Sequence, residues 1–140
     1  MGFAFTRKLT IEWGHCDPAG IVFNPRFFEF FDWSTALLVQ AALDLGEVDM
    51  RTAYGVAGIP LVDTRANFTR PARYGDRIEI VSRVSAVGRS SFEIDHRLFN
   101  AGELAVECHE KRVWTVRDAD SGRLRSRALP EEVARKLNGG

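Results

Sequence analysis

Residues 4–13, AFTRKLTIEW, set Phe5, Leu9, Ile11 and Trp13 at odd positions among polar ones, the period of a half-buried strand. Residues 14–25, GHCDPAGIVFNP, break that period with glycine and proline. Asn24 before Pro25 has the pattern of a helix N-cap followed by proline at the first helical position, where the missing N–H costs nothing. PRFFEFFDWSTALLVQAALDLG then reads as a helix of about 20 residues, roughly 30 Å long, stopped by Gly46. Its polar residues Arg26, Glu29, Asp32, Gln40 and Asp44 form one narrow stripe. Phe27, Phe28, Phe30, Phe31, Trp33, Leu37, Leu38 and Val39 take the rest of the circumference, so the helix belongs at the centre of the molecule.

After a short connection with helical character (VDMRTAYG), period-2 alternation returns in four segments: IPLVDTRANFTR, DRIEIVSRVSAV, SSFEIDHRLFN and ELAVECHEKRVWTVRD. PARYGD, VGRS and NAGE separate them and are built from turn-forming residues. Short turns between consecutive strands predict an antiparallel meander for at least the last three, joined by the first strand into one curved sheet. A closing strand at RLRSRA and a final helix, PEEVARKL, complete the chain.

One antiparallel sheet has one apolar face, and one long apolar helix needs nearly complete cover. Five or six strands wrapped around the helix satisfy both, giving an α+β fold. The remaining helix flank and the sheet edge call for a second copy, so a dimer is the minimum expectation.

With 140 residues and no visible linker, residues 1–140 form a single domain with a core of its own. The charges balance, 19 Lys+Arg against 19 Asp+Glu. That leaves no global field to attract nucleic acid or an anionic membrane, and an anionic ligand needs a local cluster. Cys16 and Cys108 are expected as reduced thiols. No apolar leader or membrane-length stretch is present, which predicts a cytoplasmic protein.

The chemistry concentrates in GHCDPAGIVFNP. His15, Cys16 and Asp17 are metal-ligand types, but neighbours in an extended segment point apart and no spaced partner motif accompanies them. A Cys16 nucleophile needs a base and a lowered thiol pKa, and only His96 or His109, on other strands, is available. Asp17 precedes Pro18-Ala19-Gly20 in a connection that ends against a helix N-terminus, where unpaired N–H groups carry partial positive charge. A carboxylate beside such a terminus makes a minimal acyl-hydrolysis site. An Asx-type turn that only shapes the loop explains Asp17 equally well. Arg89 and the trio Arg123, Arg125 and Arg127 are either a solvated face or a phosphate-binding patch.

IEWGHCDPAGIVFNPRFFEFFD followed by GIPLVDTRANFTRPARYGDRIEI closely resembles the hotdog-fold acyl-CoA thioesterases, in particular the 4-hydroxybenzoyl-CoA thioesterase family. The resemblance runs from about Leu9 to Pro130 and is sharpest at CDPAGIV and PARYGD. It implies a long central helix wrapped by an antiparallel sheet, and dimers or dimers of dimers (homotetramers) with sites at the subunit interface. It implies an acyl-CoA substrate, with no metal, cofactor, nucleic acid or membrane involved. Asp17 would act as nucleophile or as general base toward water. Gly20, Phe23 and Asn24 match positions that hold the thioester carbonyl on backbone N–H groups, beside Pro18. Phe27 and Phe31 would line an acyl pocket, and Arg89, Arg125 and Arg127 match positions that contact coenzyme A phosphates.

The chain departs from the family pattern at three positions. Asn24 stands where relatives often carry Tyr or His, Arg26 where many carry Asn, and His15 where an acidic residue is common. Two rival readings are open to the same sequence: a hotdog dehydratase or hydratase using a histidine–carboxylate pair, and a non-catalytic acyl-CoA or acyl-carrier binding module.

Overall fold

The computed structural model describes residues 2–140. Strand β1 (Ala4–Thr10) stops short of the alternation, because Trp13–His15 close a 3-10 turn. The Glu12 N–H donates to His15 Nδ1 at 2.9 Å, and the His15 and Cys16 N–H groups donate to the Glu12 and Trp13 carbonyls at 3.0 and 3.1 Å. Trp13 therefore leaves the sheet and stands 79% exposed.

Helix α1 (Asn24–Leu43) begins one residue earlier than Asn24-Pro25 suggests. Phe23, extended at φ −65° and ψ 120°, is the cap, and the Arg26 N–H closes the first turn on its carbonyl at 2.8 Å. Asn24 thus becomes the first helical residue, with Pro25 inside the first turn, where proline is still tolerated. The helix ends before Gly46: Asp44 takes the left-handed conformation (φ 54°) and returns its N–H to the Gln40 carbonyl, a role Asp fills at modest cost. Gly46 instead precedes α2 (Glu47–Tyr54), the short connecting helix.

Strands β2 (Leu61–Phe68), β3 (Arg77–Val87), β4 (Ser91–Asn100) and β5 (Glu103–Val113) join β1 in one antiparallel sheet of order β1-β3-β4-β5-β2. The meander β3–β4–β5 is as expected, while β2 crosses to the far edge and pairs only with β5. The RLRSR segment joins a separate hairpin, β6 (Thr115–Arg117) with β7 (Leu124–Ser126), ahead of helix α3 (Glu131–Leu137).

The concave face of the sheet packs on α1 in two apolar clusters. Phe27, Phe30 and Phe31 anchor one with Ile78, Ile80 and Leu98; Leu38, Val39 and Leu43 anchor the other with Ile94, Trp114 and Val133. The helix is not wrapped all round. Trp33 is 62% exposed, with the Arg7 guanidinium 5.0 Å over its ring, while Ser34 and Thr35 are fully buried. Along the open edge, Leu61, Val62 and Phe68 of β2 are also exposed. No helix among the described residues is long and apolar enough to cross a membrane.

Candidate active site

Asp17 lies in a tight loop whose backbone is almost fully committed. Its N–H donates to the Ile21 carbonyl at 2.9 Å, its carbonyl accepts the Gly20 N–H at 2.9 Å, and its Oδ1 accepts the Ala19 N–H at 2.8 Å. That last bond is the Asx turn foreseen as the shape-giving role. It leaves Oδ2 with no hydrogen bond from any described residue, so turn geometry and an available carboxylate oxygen coexist. Gly20 sits at φ 81°, where a side chain would be strained. The loop is fastened to the sheet by the Val22 N–H on the Ala72 carbonyl at 2.8 Å.

The loop delivers the chain to the start of α1. Of the three N–H groups considered as carbonyl donors, two are spoken for: Gly20 donates to Asp17, and Phe23 donates to the His15 carbonyl at 2.9 Å. Only the Asn24 N–H lacks an acceptor among the described residues. It lies at the positive end of a 20-residue helix. An open pocket of about 360 Å³ adjoins the loop, lined by Trp13, Cys16, Asp17, Pro18, Gly20 and Tyr74.

Phe27 and Phe31 are not in this pocket. Phe31 is fully buried with its ring stacked on His96 at 5.0 Å, and Phe27, 3% exposed, packs against Phe30 and Phe68. Both serve the core, because the helix turns these positions toward the sheet. His15 is likewise engaged away from Asp17, through its Nδ1 bond and edge-on contact with Phe30 at 4.9 Å. Among the described residues no three His, Cys, Asp or Glu side chains gather closely enough to hold a metal ion. Burial pushes the Cys108 thiol up to about 11, so that residue is inert as a nucleophile near neutral pH.

Arg89 and the Arg125–Arg127 stretch, distant in sequence, meet at one place. The Leu129 N–H donates to the Arg89 carbonyl at 2.8 Å and the Arg127 N–H to the Trp114 carbonyl at 3.0 Å, with all three arginine residues exposed. This cluster follows β3, whereas the Asp17 loop is tied to residues just before it, through Ala72 and the bond from Ile11 N–H to the Asp76 carbonyl. The 11 residues of β3 separate the two by about 30 Å at roughly 3.3 Å each.

Sequence reasoning missed a buried ionic chain under the helix. His96 Nδ1 lies 2.7 Å from Ser82 Oγ, and its Nε2 lies 3.1 Å from Thr35 Oγ1 and 3.4 Å from Glu110 Oε1. Thr35 Oγ1 also donates to Glu110. Glu110 receives Arg112 through Nε and Nη2, both at 3.1 Å, and Arg112 Nη2 reaches out to Asp32 at 2.8 Å. Burial pushes the Glu110 carboxyl up, but the His96 and Arg112 hydrogen bonds and charges outweigh it and hold the group down at about 2. The signal was in the alternation: Ser82, His96, Glu110 and Arg112 all occupy inward positions of β3, β4 and β5. His96–Glu110 is the histidine–carboxylate pair a hydratase would need, but its side chains are buried, 0% and 3% exposed, with Phe31 stacked on the imidazole.

Comparison with known proteins fits this geometry. The chain is 28% identical to 4-hydroxybenzoyl-CoA thioesterase from Pseudomonas sp. strain CBS-3, covering 94% of this chain and 96% of that protein. It is 29% identical to the 1,4-dihydroxy-2-naphthoyl-CoA hydrolase of Synechococcus elongatus, over 63% of this chain and 64% of that one. Among solved structures, an Asp-to-Asn variant of 4-hydroxybenzoyl-CoA thioesterase complexed with 4-hydroxybenzoyl-CoA superposes with a TM-score of 0.88 at 26% identity, covering 96% of this chain and 99% of that one. The family model of the thioesterase-like superfamily matches residues 11–137. With its central helix, five-stranded antiparallel sheet and these relatives, the chain belongs to the thioesterase-like superfamily of hotdog-fold enzymes.

Proposed function

We propose that this protein hydrolyses an aromatic acyl-CoA thioester to the free acid and coenzyme A. The observation that carries the reading is Asp17, with Oδ2 unengaged, in the wall of an open pocket and on the loop that leads into the head of α1, where the Asn24 N–H is unpaired. The thioester carbonyl oxygen accepts the Asn24 N–H, which stabilises the charge that builds on it as the carbonyl carbon becomes tetrahedral. One such donor is worth about 3 kcal/mol of barrier. Asp17 either attacks that carbon, expelling the coenzyme A thiolate and leaving an anhydride that water cleaves, or removes a proton from an attacking water. The aromatic acyl class follows the two relatives, which act on a hydroxybenzoyl and a dihydroxynaphthoyl thioester.

The complete site needs two copies. The arginine cluster lies about 30 Å from the Asp17 loop in its own protomer, farther than the pantetheine arm of coenzyme A extends. The open edge of β2 offers the remedy. Its Phe68 end sits by the first turn of α1, and its Leu61 end lies with Arg112 at the Ser91 end of the sheet. Antiparallel pairing of β2 with a second β2 about a two-fold axis sets the Asp17 end of one subunit beside the arginine end of the other. The coenzyme A phosphates then meet the partner subunit's Arg89, Arg125 and Arg127. A dimer is the smallest active unit, and a dimer of dimers is compatible with it.

Asp17→Asn is the direct test. The variant should keep its oligomeric size and melting temperature while turnover of 4-hydroxybenzoyl-CoA falls by at least a hundredfold. Wild-type turnover in that variant would overturn the assignment of Asp17, and a wild-type protein that binds acyl-CoA without cleaving it would make this a binding module.

A further inference from the structure

Two large aromatic side chains stand in solvent beside the catalytic loop. Trp13 is 79% exposed and Tyr74 62%, and their rings meet edge-on with centroids 5.9 Å apart. Trp33, Phe23 and Phe68 are exposed as well, at 62%, 52% and 43%, but Trp13 and Tyr74 are the aromatic residues that line the pocket with Asp17 in its wall. The pair is held on rigid backbone. Trp13 opens the 3-10 turn closed by Glu12 and His15. Tyr74 sits in a turn where the Arg73 N–H donates to Asp76 Oδ2 at 2.8 Å and Gly75, at φ 87°, donates its N–H to the Ile11 carbonyl at 2.9 Å. The Ile11 N–H answers on the Asp76 carbonyl at 2.8 Å, so the two turns are bolted to each other. Neither ring is placed by core packing, yet both backbones are fixed, which is how a preorganised contact surface is built.

From this geometry we infer that Trp13 and Tyr74 form the subsite for the aryl ring of the substrate, a specificity element that rests on the thioesterase reading above. Their pocket of about 360 Å³ has Asp17 in its wall, so whatever occupies it lies directly next to the reacting carbonyl. The adenine of coenzyme A is ruled out by the length of the pantetheine arm between it and the thioester. Of the two groups that do flank the thioester, the arm is a flexible polar amide chain and the aryl group a flat apolar disc. The aromatic walls fit the disc, which stacks on one ring and meets the edge of the other. Pro18 and Cys16 close the remaining apolar side. An aliphatic acyl chain gains only non-directional burial there.

The test compares two thioesters that share coenzyme A, 4-hydroxybenzoyl-CoA and hexanoyl-CoA, with Trp13→Leu, Tyr74→Leu and the double variant. The double variant should lose about tenfold or more in kcat/KM for the aryl substrate and no more than about twofold for hexanoyl-CoA, with the loss carried by KM. Trp13→Phe should restore most of the aryl preference. Equal losses for both substrates, or none for either, would overturn the subsite. So would a change in oligomeric size by light scattering, which would mark the pair as a subunit contact. The thioesterase reading fails separately, on a wild-type protein that cleaves neither thioester.

Discussion

Glu110 and Arg112 stand two residues apart on β5 and both point inward, placing a formal ion pair under the central helix with side chains 3% and 6% exposed. Burying charge is expensive unless each partner is fully engaged, and here each is. Arg112 spends its donors on Glu110, the Ile59 carbonyl and Asp32; Glu110 also accepts Thr35. Removing one partner strands the other, so Glu110→Leu should destabilise by about 3–5 kcal/mol, read as a lowered urea midpoint. The double variant Glu110→Leu, Arg112→Met should recover much of that loss. The pH dependence follows the same group. Its folded pKa is depressed to about 2, so its contribution is complete above the unfolded carboxylate range, near 4.3, and disappears as pH falls from there toward 2. An acid-unfolding curve should therefore lose its steepest segment in Glu110→Leu, and an unchanged curve would place the acid lability elsewhere.

At the scale of elements, β4 and β5 are stapled across their solvent face by His109. Its Nδ1 lies 2.6 Å from Asp95 Oδ1 and its Nε2 2.8 Å from Glu93 Oε1. The Asp95 hydrogen bond, opposed in part by burial and joined by Glu93, raises the imidazole above its ordinary value. A raised folded pKa gives stability that is fully present below the unfolded value, near 6.5, and is lost as pH climbs through the folded one. His109→Gln should thus lower the melting temperature at pH 6 and leave it near wild type at the alkaline end. A gap of constant size would show that the contact is not ionic. The elements themselves were legible because alternation and the Asn24-Pro25 signal are local: the meander, the long helix and the closing helix all follow from period and turn residues. The errors were also local. Asp44 ended α1 ahead of Gly46, and Phe23 rather than Asn24 capped it, because the backbone bonds that Asp44 and Phe23 donate to the Gln40 and His15 carbonyls compete with side-chain preferences. Long-range facts were hidden. Nothing near Phe31 announces that it stacks on His96, so a core residue passed for a pocket wall, while Trp13 and Tyr74 gave no sign of meeting.

The whole molecule is where the site becomes complete or fails to. Asp17 and the arginine cluster lie at opposite ends of β3, and one sheet edge carries exposed Leu61 and Val62 beside unpaired backbone. An apolar open edge of this kind invites strand pairing unless charge or proline blunts it. Leu61→Lys with Val62→Lys supplies that charge at positions 42% and 55% exposed, where the fold of the protomer has little stake. The double variant should run as a smaller species by light scattering, with a far-ultraviolet spectrum like wild type, and turnover should fall at least tenfold. Lost activity should return as protein concentration rises, because mass action rebuilds the dimer. Mixing should separate assembly from chemistry. Asp17→Asn has intact arginines and a triple variant Arg89→Ala, Arg125→Ala, Arg127→Ala has an intact Asp17. Each alone should be weakly active, whereas subunit exchange should restore up to about a quarter of the wild-type rate. That figure follows because half of a random population pairs unlike subunits and one of the two sites in each such dimer joins a good loop to good arginines. A mixture no more active than its parents would mean that each subunit binds coenzyme A with its own residues, and the β2 pairing would have to be abandoned as the origin of the site.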